Sequence, residues 1–271
     1  MSKPFFTIGS DPEFILQSKD KELADYEFVE AHDLIPDSDC RKRIGCDGCS
    51  ETGELRPRYS SDPLIHFKNL QALIRLSRTK YVNSLKKYFH LDDIRMIAGS
   101  GLGIRPVGGH IQFGVALDPF ILNSLDRYLS IPLLFVELEP YNVDRRHSHS
   151  YGTLSNTRSY NYDKRFEYRT PASWILEPEI ALGTICLAYT VVWESKYNGL
   201  KPEKLGKEVQ DYFILSDKKK LKPYLTQALK KIRKMELYPQ YLNQIDYLLK
   251  RITKDKVWKE KENVWKNWAY V

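Results

Sequence analysis

No run of 18 apolar residues occurs in the 271-residue chain, so no membrane-spanning helix is expected. The opening stretch, M-S-K-P-F-F-T-I-G-S-D-P-E-F, lacks the apolar core of a secretory signal. Cysteine is scarce, at four residues. A secreted chain of this size rarely relies on so few, so a reducing, cytoplasmic setting is expected. There is no internal repeat and no low-complexity linker, which excludes a solenoid and a disordered tether. What is present is an ordinary globular balance, 42% hydrophobic and 28% charged residues. A domain of this length buries roughly 75% of its unfolded surface, so neither metal nor disulfide is needed merely to fold.

The net charge of +7 is unevenly spread. From Ser195 onward there are 19 Lys and Arg against 9 Asp and Glu, a balance of +10 that leaves the first 194 residues at −3. A catalytic domain over 1–194 followed by a basic helical extension over 195–271, packed on it or completing it, is the expected organisation. The basic segment is a solvated helical surface or a contact for nucleic acid or an acidic partner.

Helical signals frame the chain. Asp62-Pro63 opens one helix as N-cap and first-turn proline, and Leu64, Phe67, Leu70, Leu73, Ile74, Val82 and Leu85 continue it. A second runs from Pro119 through Leu125, Tyr128 and Leu129 and is expected to break near Pro132. A third follows Pro178 through Ile180, Ile185, Leu187 and Tyr189 and holds Cys186. Beyond Pro202 lie shorter basic helices, with one apolar stripe at Leu221, Leu225, Leu229 and Ile232 and another at Leu242, Ile245, Leu248, Leu249 and Ile252. These stripes read as core contacts.

The informative part lies between the helices. Successive strand residues face opposite sides. In D-P-E-F-I-L, Asp11 and Glu13 share one face and Phe14 and Leu16 the other. In E-L-R-P, Glu54 and Arg56 oppose Leu55; in H-I-Q-F-G-V, His110 and Gln112 oppose Ile111, Phe113 and Val115. In R-F-E-Y-R-T, Arg165, Glu167 and Arg169 oppose Phe166 and Tyr168. Four strands repeat one design, an apolar face and a charged face. That suits an antiparallel sheet with one open face, and so an α+β fold.

On that open face Asp11, Glu13, Asp47, Glu54, His110 and Glu167 would gather. Carboxylates so close must either be protonated or be neutralised by cations. Oxygen-rich ligands with one histidine suit Mg²⁺ or Mn²⁺ better than zinc. Arg56 and Arg169 on the sheet, and Arg145, Arg146 and Arg158 on the loop between, match phosphate oxygens. The pattern implies metal plus nucleotide phosphate. It leaves open a phosphotransferase of the guanidino- or carboxylate-kinase kind, a metal-dependent phosphodiester hydrolase, and a noncatalytic nucleic-acid-binding protein. Cys46 and Cys49 form C-x-x-C, and Cys40 with His32 or His66 would be needed to complete a zinc site. His147 and His149 sit in a polar stretch read as solvated or as part of a nucleotide lid.

The motifs D-P-E-F, G-C-D-G with E-L-R-P, G-G-H-I-Q-F-G, Y-G-T-L-S-N-T-R and F-E-Y-R-T-P-A-S-W occur in this order. The chain from about Phe6 to Trp174 thereby resembles the phage-borne type 2 carboxylate–amine ligases (amidoligases), grouped with glutamine synthetase and glutamate–cysteine ligase. The resemblance implies a curved antiparallel sheet of the glutamine synthetase and guanidino kinase type, with helices on one face, that holds Mg²⁺ ions and ATP. It implies amide formation through an acyl phosphate, from small-molecule or peptide carboxylates and amines, in the host cytoplasm if the gene is phage-borne. Glu13, Asp11, Asp47, Glu54, His110 and Glu167 match its metal ligands, Arg169 its phosphate-binding arginine, and Arg158 the arginine ending the Y-G motif; Glu54, Arg158 and Arg169 are the candidate catalytic residues. Gln112 replaces a common second histidine, and Ser155 a common glycine.

Overall fold

The computed structural model describes residues 5–19, 26–31, 43–46, 52–88, 93–160 and 164–269. Its central feature is the antiparallel sheet that the alternation predicts. Strand β1 (Ile8–Lys19) is the long axis, and β2 (Tyr26–Val29) and β5 (Ile94–Ile97) flank its second half. Along its first half the strand order is β3 (Ile44–Cys46), β4 (Gly53–Leu55), β1, β6 (Gly109–Phe113), β8 (Arg165–Tyr168) and β7 (Thr157–Tyr160). Every pairing is antiparallel.

The apolar face carries Phe14, Leu16, Leu55, Ile111, Phe113, Phe166 and Tyr168, all buried. Helix α1 (Pro63–Tyr88) packs on β1 and β4, and α5 (Pro178–Tyr197) packs on α1. Asp62 caps α1 by accepting a hydrogen bond from the Leu64 amide at 2.8 Å. Phe14 fills the space above Gly53, where an added Cβ would lie 2.2 Å from its ring. A buried phenylalanine of this kind stabilises the fold by roughly 1.5–3 kcal/mol, and any side chain at Gly53 would displace it.

The second helix departs from expectation. Helix α2 (Pro119–Leu125) does not end near Pro132 but continues through a π-helical turn (Asp126–Ser130) into α3 (Ile131–Leu134). The Ile131 amide reaches back five residues to the Asp126 carbonyl. This wider turn comes just before Pro132, a residue with no N–H to give to a regular turn. Helix α4 (Tyr141–His147) follows.

The basic C-terminal segment folds as α6 (Lys207–Ile214), α7 (Lys218–Ile232), α8 (Leu242–Thr253) and the short α9 (Val264–Asn267). Its two apolar stripes bury Leu221, Leu225, Leu229 and Ile232, and Ile245, Leu248, Leu249 and Ile252, in the same core as the sheet; Leu242, expected in the second stripe, is exposed, and most lysines of α7 face solvent. Trp265 donates to Ser77 on α1 at 3.0 Å, and Trp268 donates to the Ile175 carbonyl at 2.8 Å. The 194/195 division lies inside α5, and the buried cluster runs unbroken from Phe6 to Trp268. Among the described residues, no helix is long and apolar enough to cross a membrane.

Candidate active site

The strand registers set the layout of the polar face. Glu13 on β1 pairs with Glu54 on β4, Asp11 pairs with His110 on β6, and Gly9 pairs with Gln112. Gln112 in turn pairs with Glu167 on β8, and Glu167 with Arg158 on β7. Residues two apart on one strand are ~7 Å apart. Five strands therefore bring all these side chains into one patch.

Asp11, His110 and Glu167 come closest together. Each offers one ligand atom, and these atoms lie within 4.8 Å of one another. Two carboxylates and an imidazole at that spacing fit a hard divalent cation such as Mg²⁺ or Mn²⁺. His110 Nδ1 is 3.3 Å from Glu167 Oε1, and Gln112 donates to Asp11 at 3.0 Å. Arg169 Nε lies 3.1 Å from the same Glu167 oxygen. Arg158 is exposed on the neighbouring strand.

His110 is almost wholly buried, and its pKa is driven well below the ordinary histidine range. Burial is the larger cause, followed by the positive charges of Arg169, Arg145 and Arg158. The ring is therefore neutral at physiological pH, the form that can ligate a metal.

Glu13 sits one step further along the sheet and is buried. The Gly108 amide donates to it at 2.6 Å, and the Tyr151 hydroxyl lies 2.8 and 3.0 Å from its two oxygens. The same hydroxyl is 2.7 Å from His110 Nε2. Gly108 must be glycine, because a Cβ there would come within 2.3 Å of His110 and 2.8 Å of the Tyr151 oxygen. Glu54 is also buried and is held by the Arg56 guanidinium, which in addition donates to the Cys46 carbonyl at 2.9 Å.

Two expected phosphate contacts are corrected. Arg145 and Arg146 are not on an open loop but on α4, each 1% exposed. Arg145 donates to the carbonyls of Val107, Thr170 and Pro171 at 2.8, 3.1 and 3.0 Å. It clasps the turn before Gly108 to the chain after Arg169. Arg146 is paired with Glu137 at 2.5 Å and donates to Ser216 at 2.6 Å. Buried carbonyls and a buried carboxylate need such donors, and these bonds hold both guanidinium groups in the fold.

The remaining expectations divide as follows. Asp47, Cys40, Cys49 and His32 lie outside the described residues. Cys46 and Cys186 are buried free thiols. His66 is buried, bonded to Ser10 and the Arg58 carbonyl, with its pKa lowered to about 4 by burial. His149 is exposed near Asp144.

Tyr151 and Asp126 were not singled out by the sequence. Tyr151 lay inside the quoted Y-G motif; Asp126 gave no signal, being a polar residue within a helical run. Asp126 is buried and accepts from the Ser155 amide at 2.9 Å, the Ser155 hydroxyl at 2.6 Å and the Tyr168 hydroxyl at 2.6 Å. Burial raises its pKa, against the effect of these bonds. Ser155 has φ 63°, the left-handed conformation that favours glycine, and its bonds to Asp126 hold it there. This network pins the loop that carries Tyr151 and leads into Arg158.

At the other end of the patch a trough of about 370 Å³ is lined by Thr7, Gly9, Tyr59, Gln112, Phe113, Gly114 and Arg165. Its floor is short of side chains because Gly9 and Gly114 have none. Tyr59 stands 73% exposed at its edge, available as a flat stacking surface.

Comparison with known proteins places this geometry. The sequence model of the family described as "Phage phiEco32-like COOH.NH2 ligase-type 2" matches residues 8–270, so the match continues past Trp174 into the basic helices. No curated protein matches the chain in sequence. Among solved structures, the complex between the prokaryotic ubiquitin-like protein Pup and its ligase PafA is similar at TM-score 0.66 and 11% identity, over 93% of this chain and 65% of that one. A bifunctional glutathione synthetase from Pasteurella multocida is similar at TM-score 0.50 and 12% identity, over 92% of this chain and 47% of that one. The chain thus spans less than two thirds of either protein, and at these identities the likeness is one of fold.

Proposed function

The chain belongs to the phage phiEco32-like COOH.NH2 ligase-type 2 family, and from that premise we propose that it joins a carboxylate to an amine with ATP as the driving reactant. The observation that carries the reading is the Asp11–His110–Glu167 cluster with Arg169 against Glu167. Such a set binds polyphosphate and cation together.

A carboxylate is a poor electrophile because its leaving group would be an oxide. Transfer of the γ-phosphoryl group to a carboxylate oxygen releases ADP and leaves an acyl phosphate. The amine nitrogen then attacks the carbonyl carbon, phosphate departs, and the nitrogen loses a proton. Such phosphoryl transfer depends on positioning and charge stabilisation rather than on covalent work by the protein. Asp11, His110 and Glu167 would hold the divalent cation, with Glu13 and Glu54 bordering it. A divalent cation held by these residues would supply neutralisation of phosphate charge. Arg169 and Arg158 would bind the transferred group's oxygens and steady the charge it develops. The trough beside Gln112 would take the nucleoside, its base lying over Gly9 against Tyr59. Arg56 would hold Glu54 in place. The exposed lysines of α7 would supply any contact with nucleic acid or with an acidic peptide substrate, a contact that weakens as salt rises.

The test is incubation with Mg²⁺-ATP and pools of carboxylates and amines, including peptides, following ADP, phosphate and new amide masses. Amide and ADP should form together and vanish in Glu167→Gln protein that remains folded. Full turnover by Glu167→Gln refutes the site. Absence of ATP binding to the wild type refutes the function.

A further inference from the structure

One hydroxyl at this site has more neighbours than protons. Tyr151 touches both oxygens of Glu13 and the Nε2 atom of His110, yet it has a single proton to give. The arrangement around it fixes where that proton goes. Glu13 accepts the Gly108 amide at 2.6 Å, a bond that favours the ionised carboxylate. An ionised Glu13 has only acceptor atoms, so at 2.8 Å the tyrosine must donate to it. The tyrosine oxygen is then an acceptor toward His110, and at 2.7 Å the nitrogen that faces it must carry the hydrogen. A neutral imidazole has one N–H. With that hydrogen at Nε2, Nδ1 has a bare lone pair, and it lies on the side of Glu167, 3.3 Å from Oε1. The opposite assignment would set two acceptor oxygens against each other at 2.8 Å at the tyrosine and point an N–H into the cation site, whereas the lone pair of Nδ1 faces Glu167 at the longer 3.3 Å, a contact that a cation between them would relieve.

We propose that Tyr151 is a positioning residue that locks His110 in its Nε2–H form and so presents Nδ1, with Asp11 and Glu167, to a divalent cation. The inference rests on the metal reading of this cluster and adds the residue that orders it. The hydroxyl acts through His110 and Glu13. Its placement is built in at several points. The ring meets His110 edge-on at 5.9 Å and lies under the Arg145 guanidinium at 4.7 Å. The Tyr151 amide donates to the Arg145 carbonyl at 3.0 Å. Gly152 follows at φ 76°, where a Cβ would fall 1.9 Å from an Arg145 nitrogen. Gly108 leaves the space in which histidine and tyrosine meet.

A hydrogen-bond partner of this kind on a ligating histidine sets the tautomer and ring direction, and its loss typically weakens metal binding 10- to 100-fold. The decisive variant is Tyr151→Phe, which keeps the ring between its neighbours and removes the hydroxyl. The tautomer is read directly from the ring nitrogen shifts of ¹⁵N-histidine-labelled, metal-free protein, with His110→Gln to assign the signal. Wild type should show His110 protonated at Nε2, and Tyr151→Phe should lose that preference. Mn²⁺ binding followed by electron paramagnetic resonance without nucleotide should weaken by roughly 10- to 100-fold in the variant. A wild-type His110 protonated at Nδ1 overturns the proposal. So does a Tyr151→Phe protein with unchanged tautomer and unchanged Mn²⁺ affinity. A wild type that binds no Mn²⁺ overturns the metal reading itself, whatever the tautomer.

Discussion

Replacing Arg145 separates a buried clasp from a phosphate ligand. The guanidinium is 1% exposed and donates to three main-chain carbonyls, one just before β6 and two just after β8. In Arg145→Met those carbonyls lose their donors in a place water does not reach. Each such loss costs ~1–3 kcal/mol. Relief from burying the cation, whose charged form is already disfavoured there by burial, offsets part of this. The three losses less that relief leave a net destabilisation of about 3–5 kcal/mol. Arg145→Lys should recover little, since a single ammonium cannot reach three divergent acceptors as the planar fork does. Urea unfolding followed by tryptophan fluorescence gives the midpoint, and nucleotide binding measured well below that midpoint gives the site. The expected result is a large fall in midpoint. A midpoint shifted by less than about 0.5 kcal/mol, the size of a neutral surface change, together with lost nucleotide binding, would refute the burial reasoning and restore Arg145 as a phosphate contact.

Other expectations follow from single contacts. Gly9→Ala puts a methyl group into the trough at ordinary contact distance, with the nearest atom, Gln112 Oε1, 3.4 Å from the Cβ; nucleotide affinity should fall while the unfolding midpoint holds, and unchanged affinity would move the nucleoside elsewhere. Asp126→Ala removes the acceptor of three hydrogen bonds to Ser155 and Tyr168 and should cost ~2–4 kcal/mol, with the Tyr151 loop becoming the first region to gain amide exchange; uniform exchange would show that the network does not pin that loop. Glu260 is buried against Gly99 and Trp258, and burial raises its pKa to about 7. The folded state thus holds this proton more tightly than the unfolded chain does. The stability it contributes is present below the ordinary carboxylate range and is lost as pH rises toward 7, by up to about 3 kcal/mol. Glu260→Gln should therefore gain on the wild type as pH increases from 4.5 to 7.5 in parallel urea titrations, and parallel curves would contradict the assignment.

The alternating strands were the legible part of this chain. Asp11, Glu13, His110 and Glu167 were readable because period-two spacing put each opposite an aromatic or aliphatic neighbour, and the registers bring them into one patch. Strands β2, β3, β5 and β7 have three or four residues each, as β4 and β8 do, but none carries within its bounds two charged residues two apart, the signal that marks Arg165 with Glu167 on β8. Arg145 and Arg146 were misread because charge in a sequence says nothing about depth; only the carbonyls and Glu137 around them make burial tolerable. Asp126 was illegible for the same reason in reverse, a buried acid whose partners come from 29 and 42 residues away. The break expected at Pro132 failed because a π-helical turn absorbs it. The basic segment's charge marked it off from the rest, while its leucine stripes pointed to core contacts, and those leucines share the core of the sheet.

The central claim is that a carboxylate on this sheet is activated by phosphorylation before an amine attacks. Oxygen tracing addresses it directly. With ¹⁸O-labelled carboxylate donors, ATP and an amine pool, each amide formed should be matched by one ¹⁸O atom in the released phosphate. Amide formation with unlabelled phosphate, or phosphate release without any amide, would contradict the account.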